Sequence, residues 1–173
     1  MEYQLTEAIE VLERTPKVLE QLLSGLSDSW IINNEGPDTW SPYDIVGHLI
    51  HGEKTDWIPR TNIILSDGDK KFTPYDRFAQ FTESKGKSLQ QLLTEFRELR
   101  QQNISILLSK NLTDADLNKT GIHPDFGSVI LKQLLSTWVA HDLTHISQIV
   151  RVMAKQYKAE VGPWTAYVSV LNK

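Results

Sequence analysis

The stretch SVILKQLLSTWVAHDLTHISQIVRVMAKQY, residues 128–157, carries the longest uninterrupted helical pattern in the chain. Its apolar residues recur at steps of three and four, which is the spacing of one face of an α-helix. Strictly alternating apolar and polar runs bounded by turn residues, which would indicate strands, are missing elsewhere in the sequence. The pattern therefore predicts an all-α protein whose last long helix covers these residues.

A second helix has the sharpest start in the chain. Ser41 can cap its first turn, Pro42 suits the first helical position, and Asp44 supplies a carboxylate at the third. This helix is expected to run to about residue 59 or a little beyond. Apolar spacing predicts two more long helices and a short one: residues 5–26 with a kink at Pro16, residues 88–110, and a terminal helix after Pro163 that carries Trp164, Tyr167 and Val168.

Two connections between these helices are unusually long. Residues 66–87 and residues 111–127 exceed the roughly two to eight residues usual between bundle helices, so each is predicted to be a lid or a crossover. The expected architecture is a four-helix bundle with long inter-helix loops and a short C-terminal helix. At 173 residues, the chain fits a single domain, 1–173, with a sizeable core.

The composition excludes several classes of protein. The sequence has no cysteine, which excludes a Cys-ligated zinc site, a CxxC redox site and a cysteine nucleophile. Its net charge of -4 is dispersed, without the basic stripe that nucleic acid or anionic lipid requires. The N-terminus lacks signal-peptide features, and no apolar run approaches transmembrane length. We therefore expect a cytoplasmic protein that binds neither nucleic acid nor membrane.

Two histidines lie on the inner face of the last long helix. His141 and His145 are four residues apart, so both imidazoles are expected to point into the bundle, one turn apart, as two ligands of one metal ion would. The alternative is a pair of half-buried histidines that neighbouring hydroxyls or carbonyls satisfy. Asp142 falls deeper in the apolar face of this helix, where a carboxylate needs a partner. It is a candidate catalytic base, as in an HExxH helix, or an ion-pair partner of Arg or Lys on a neighbouring helix.

A third ligand would have to come from another element. His48 and His51 share a face of the second helix, and periodicity does not choose between them. Gly47 and Gly52 flank this face and would let another segment approach closely. His123, in the loop before the last long helix, is a candidate acid or base, or a solvated loop residue. Glu53 and Asp56 are expected to be exposed charges.

Two segments of the chain resemble the DinB-like superfamily, which is named for damage-inducible bacterial proteins. They are WSPYDIVGHL, residues 40–49, and Phe126-Gly127 leading through TWVAHDLTHISQI, residues 137–149. The resemblance covers nearly the whole chain. It implies a four-helix bundle and a metal site with one histidine from the second helix and the HxxxH pair from the fourth. Carried over, the ligands are His48, His141 and His145, so the family pattern selects His48 over His51.

The resemblance is specific for the fold and the site rather than for the reaction. Its relatives include bacillithiol S-transferases and mycothiol-dependent maleylpyruvate isomerase. A three-histidine site with open positions suits Zn²⁺ or Ni²⁺ and also accommodates Fe²⁺ or Mn²⁺. The favoured hypothesis is a metal-dependent thiol transferase or hydrolase that acts on a low-molecular-weight thiol or another small molecule. The alternative is a non-catalytic metal- or ligand-binding stress-response module.

Aromatic residues are expected to serve in two places. A first set could wall the pocket: Trp40, Phe72, Tyr75, Phe78, Phe81 and Trp138. A second set could supply an apolar surface for a homodimer, as relatives of this kind often pair: Trp30, Trp57 and Trp164.

Overall fold

The computed structural model describes residues 2–172, and within this range the chain folds as a four-helix bundle, as the sequence predicts. The elements are, in chain order, α1 (Leu5–Leu12), α2 (Thr15–Leu23), α3 (Asp28–Ile32), α4 (Pro42–Thr55), α5 (Trp57–Leu65), α6 (Ala79–Glu83), α7 (Leu89–Ser109), α8 (Asp114–Leu117), β1 (Thr120–His123), β2 (Gly127–Ile130), α9 (Leu131–Lys155) and α10 (Lys158–Val161). The first bundle helix consists of α1 and α2, the second of α4 and α5, the third of α7 and the fourth of α9. The shorter elements lie in the connections.

The apolar core shows how the bundle helices run. It consists of two clusters, one that contains Trp57 and Trp138 and one that contains Phe96 and Ile149. The first and fourth bundle helices pass from the tryptophan cluster to the phenylalanine cluster, and the second and third pass the other way. The second and third bundle helices are therefore parallel, and residues 66–87 must return along the bundle to join them. These residues are the crossover, which explains their length.

The first bundle helix is broken rather than kinked. In a continuous helix the carbonyl of Leu12 would accept a hydrogen bond from the amide of residue 16, but Pro16 has no N–H. The chain turns at residues 13–14, and α2 begins at Thr15 with Pro16 in its first turn. The Leu12 carbonyl instead accepts a hydrogen bond from Nη1 of Arg100 at 2.8 Å. The proline thus frees a backbone acceptor for a side chain of the third bundle helix.

The second bundle helix begins as the sequence predicts and extends further than expected. The Ser41 hydroxyl accepts from the Asp44 amide at 3.2 Å, and the Asp44 carboxylate accepts from the Ser41 amide at 2.9 Å. The helix is interrupted at Asp56, because Pro59 cannot donate to the carbonyl four residues before it. It then continues to Leu65.

The fourth bundle helix is shorter than predicted at both ends. It spans Leu131–Lys155, because residues 127–130 form the strand β2, which pairs antiparallel with β1. The sequence analysis missed this hairpin, since four-residue strands are too short to show a period of two. The predicted terminal helix after Pro163 is also different: it consists of two 3₁₀ turns, Gly162–Ala166 and Ser169–Asn172, that follow α10.

A buried polar layer separates the two apolar clusters. Arg100 of α7 is 1% exposed; its guanidinium donates to Glu53 of α4 at 2.8 and 3.1 Å and to Asp142 of α9 at 2.5 and 2.9 Å. Asn103 and the indole N–H of Trp138 also donate to the Glu53 carboxylate, at 2.9 and 3.0 Å. Together with the Leu12 carbonyl, this layer joins all four bundle helices. The expectation that Glu53 is exposed is wrong, because it lies at the centre of this layer, 2% exposed.

The aromatic residues considered for a dimer surface occupy three different environments. Trp57 is 3% exposed and belongs to the core, so its assignment to an apolar surface is wrong. Trp30 is half-buried edge-to-face against Tyr157, with the ring centroids 4.9 Å apart, whereas Trp164 is 70% exposed. A homodimer stays a prediction. In the part of the chain that the structure describes, each helix is too short or too polar to cross a membrane.

We expect Arg100→Met to lower the free energy of unfolding by about 3–5 kcal/mol, because it leaves the carboxylates of Glu53 and Asp142 buried without their cation. Urea denaturation measures this. The matched control is Arg97→Met, one turn earlier on α7, where the arginine pairs with Glu20 at 3.2 Å and both side chains are about a third exposed. The control should cost about 1 kcal/mol or less. Equal losses in the two variants would contradict the role assigned to Arg100.

Candidate metal centre

Three histidines from two bundle helices converge beside the polar layer. His48 lies on α4, and His141 and His145 lie one turn apart on α9. The Nε2 atom of His141 is 3.2 Å from Nε2 of His48 and 3.1 Å from Nε2 of His145. One ring nitrogen of each histidine lies within 4.8 Å of the other two. The structure thus brings together the three residues that the resemblance to the family selects.

The three imidazoles are neutral at physiological pH. Burial lowers the pKa of His48 to about 3 and that of His141 to about 2, and the neighbouring imidazole of His145 adds to both effects. Burial also lowers the pKa of His145. A neutral imidazole has one N–H and one lone pair, and only the lone pair can bind a metal ion.

The distances from His141 to the other two histidines fit a shared divalent ion. With metal–nitrogen bonds of about 2.0–2.1 Å, two ligands are about 2.9 Å apart at right angles and about 3.3 Å apart at the tetrahedral angle. The distances of 3.1 and 3.2 Å lie between these values. When each ring carries its proton on Nδ1, the Nε2 lone pairs face one another and repel unless a cation lies between them. Imidazole nitrogens are also common ligands of divalent transition metals.

The second nitrogen of each ring, Nδ1, points away from the cluster, and its surroundings differ among the three histidines. Nδ1 of His145 lies 2.8 Å from Oε1 of Gln148, one turn along α9, and can donate to this oxygen. Nδ1 of His48 lies 3.3 Å from the hydroxyl of Tyr75 in the crossover. Nδ1 of His141 is buried without a hydrogen-bond partner among residues 2–172. The His141 ring instead packs edge-to-face on Trp57, at 5.2 Å between centroids.

Some of the predicted wall residues line the site and others do not. The Trp40 ring lies 4.8 Å from that of His48 and stacks on His145 at 6.4 Å, and Tyr75 contacts His48 edge-to-face. The remaining predicted residues lie elsewhere: Trp138 and Phe72 are core residues, and Phe78 and Phe81 are largely exposed and stack on each other. Trp57 is a wall residue that the sequence analysis assigned to a different surface.

The other candidate residues lie outside the three-histidine cluster. His51 is buried, and its Nδ1 lies 2.9 Å from the carboxylate of Glu83. His123 is half-buried in β1, where Nδ1 accepts from the amides of Asp125 and Phe126 at 3.1 and 3.4 Å. His123 therefore stabilises the hairpin turn.

Asp142 follows His141 directly in the sequence but points into the polar layer. It is fully buried, and both carboxylate oxygens accept from Arg100. This is the ion pair with a neighbouring helix that the sequence analysis considered as its ordinary role. Because the bond to Arg100 occupies both oxygens, a role as catalytic base would require this ion pair to open.

Sequence reasoning missed Gln148 and the bond that Tyr75 makes. Gln148 carried a detectable signal, since a polar residue three positions after a buried histidine lies on the same helix face. Tyr75 was expected only as a wall residue. Its bond to a histidine 27 residues earlier depends on how the crossover docks, and no local pattern reports that.

Three comparisons relate this chain to known proteins. Residues 11–149 match the sequence profile of the DinB superfamily. A protein of Bacillus subtilis (strain 168) named "Putative metal-dependent hydrolase YfiT" is 26% identical over 147 residues, which are 83% of this chain and 81% of that protein. A solved structure of YfiT from Bacillus subtilis matches with a TM-score of 0.74 at 24% identity, over 88% of this chain and 87% of that one. It is described as having "an unusual four-helix bundle topology".

Proposed function

This chain belongs to the DinB superfamily, and we propose that it is a metal-dependent hydrolase whose divalent ion is held by His48, His141 and His145. The observation that carries the proposal is the convergence of three neutral imidazoles from two helices, with Nε2 of His141 at 3.1 and 3.2 Å from the other two rings. The similarity to the protein named "Putative metal-dependent hydrolase YfiT" supports the choice of reaction class. Zinc or nickel is the ion that three imidazoles suit best.

Three protein ligands leave coordination positions open for substrate. When bound, the ion supplies Lewis-acid chemistry, because it polarises a carbonyl or phosphoryl oxygen and acidifies a bound water or thiol. The ligand set has no carboxylate, so it leaves the full charge of the ion in place. The rings of Trp40 and Trp57 pack beside the ligands and exclude water from that side of the site.

Transfer to a low-molecular-weight thiol is the second candidate function. The same open positions would accept a thiolate. A divalent ion held by neutral imidazoles keeps its charge, and this charge stabilises the thiolate. The chain has no cysteine, so the thiol would have to be a second small-molecule substrate. A non-catalytic metal-binding module would show the same bound ion and no turnover.

We expect His48→Ala to lose the ion and His51→Ala to keep it. Both histidines are buried on the same face of α4, but only His48 belongs to the cluster. After loading with zinc or nickel and desalting, elemental analysis should find about one ion per chain in wild type and His51→Ala, and almost none in His48→Ala. Circular dichroism checks that both variants keep their helices. Equal loss in the two variants would contradict the ligand assignment.

We expect removal of the ion with a chelator to abolish hydrolysis. A panel of carboxylic esters, amides and phosphate esters identifies the substrate class, and a thiol with monochlorobimane tests the transferase. Removing only an outer hydrogen-bond partner of a metal ligand costs up to about 100-fold in activity, so removing the ion should cost at least that much. Activity should return when zinc or nickel is added. His145→Ala should stay inactive after metal is restored. Full activity in the metal-free protein would refute the metal-dependent reaction.

A further inference from the structure

Resting on the ligand set proposed above, we infer that Tyr75 of the crossover is a positioning residue for His48. It lies on the outer side of the ligand, where its hydroxyl is 3.3 Å from Nδ1 and its ring packs edge-to-face on the imidazole at 5.6 Å between centroids. Outer-sphere partners of this kind fix the tautomer and the orientation of a metal-bound histidine. Tyr75 therefore determines how well His48 presents its lone pair.

The direction of this hydrogen bond follows from the proposed ligand set. A metal ion on Nε2 requires the proton of the neutral ring to be on Nδ1, so Nδ1 must donate. The Tyr75 oxygen can accept this proton because its own O–H has a second partner, the backbone carbonyl of His48 at 3.5 Å. A hydroxyl that donates to this carbonyl and accepts from Nδ1 selects the tautomer that binds metal.

The position of Tyr75 depends on contacts at both ends of the crossover. At the start, the amide of Phe72 donates to the carbonyl of Ile122 in β1 at 2.9 Å, and the Phe72 ring is buried in the tryptophan cluster. At the end, the hydroxyl of Tyr43 lies 2.6 and 2.8 Å from the carbonyls of Ser84 and Lys87. The crossover is thus fixed to the hairpin and to α4, and Tyr75 is held between these anchors.

The crossover also packs closely against α4 immediately before the ligand. A side chain at Gly47 would overlap the hydroxyl of Ser84, so glycine is what allows this approach. Glu83, next to Ser84, accepts from His51 one turn after His48. The crossover therefore contacts both histidines of α4, and Tyr75 makes the contacts with the one in the cluster.

His145 shows the contrast between a local and a distant partner. Its acceptor, Gln148, lies three residues away on the same helix and is placed by α9 alone. The acceptor of His48 comes from another segment, so its hydrogen bond to the ring forms only when the crossover is docked. Metal affinity and docking of the crossover are then linked, and each must strengthen the other by the same factor.

The test compares Tyr75→Phe with Tyr43→Phe in the full-length protein. Both variants remove one hydroxyl that bonds between the crossover and α4, but Tyr43 bonds only to the backbone of the crossover. Zinc affinity is measured by competition with a chromophoric chelator, and the ligand field by the visible absorption of the cobalt-substituted protein. We expect Tyr75→Phe to weaken zinc binding by about 10–100-fold and to change the cobalt spectrum. Tyr43→Phe loosens an anchor of the crossover but keeps the hydroxyl beside Nδ1 of His48, so it should weaken zinc binding by a smaller factor and leave the cobalt spectrum unchanged.

Hydrogen exchange gives a second measurement that does not depend on activity. In wild type, zinc should slow amide exchange in residues 73–78, and this protection should be smaller in Tyr75→Phe because the link to His48 is cut. Wild-type zinc affinity in Tyr75→Phe would overturn the inference, and so would equal losses in both variants, which would mean that the hydroxyls only anchor the crossover. If His48→Ala also keeps its zinc, the ligand assignment itself fails, which separates the two outcomes.

Discussion

Arg100 reaches from the third bundle helix to acidic side chains on the second and fourth and to a carbonyl of the first. A buried arginine is tolerated only when its donors are matched, and here two carboxylates and a backbone carbonyl receive them. Breaking this layer leaves unpaired charges in the core, so the layer fixes the register in which the four helices pack. Apolar clusters on either side of it do not specify register in this way.

The candidate metal centre lies at the same level of the bundle, and this position has a structural reason. Asp142, which binds the arginine, stands between His141 and His145 in the sequence, and Glu53 is on the same helix as His48. The layer that holds the helices in register therefore also sets the distance between the histidines of α4 and α9. The fixed positions of the two helices, rather than local flexibility, bring three ring nitrogens to within bonding range of one ion.

The topology explains why one histidine depends on a distant segment. Because the second and third bundle helices are parallel, the chain must run back along the bundle, and residues 66–87 pass the site on this path. A crossover is a costly connection for a small bundle, and here it covers the outer side of His48. The pair on α9 needs no such cover, since Gln148 comes from the same helix. The two halves of the site thus have different structural origins.

From spacing within single segments, the sequence predicted the four bundle helices, though not all their ends, the cap at Ser41 and the inward direction of His141 and His145. It did not separate His48 from His51, which share a helix face; resemblance to a family chose between them, and only the tertiary structure shows which one faces α9. It also missed the hairpin and the burial of Glu53. These depend on partners distant in sequence, such as Arg100, and no local period records such a partner.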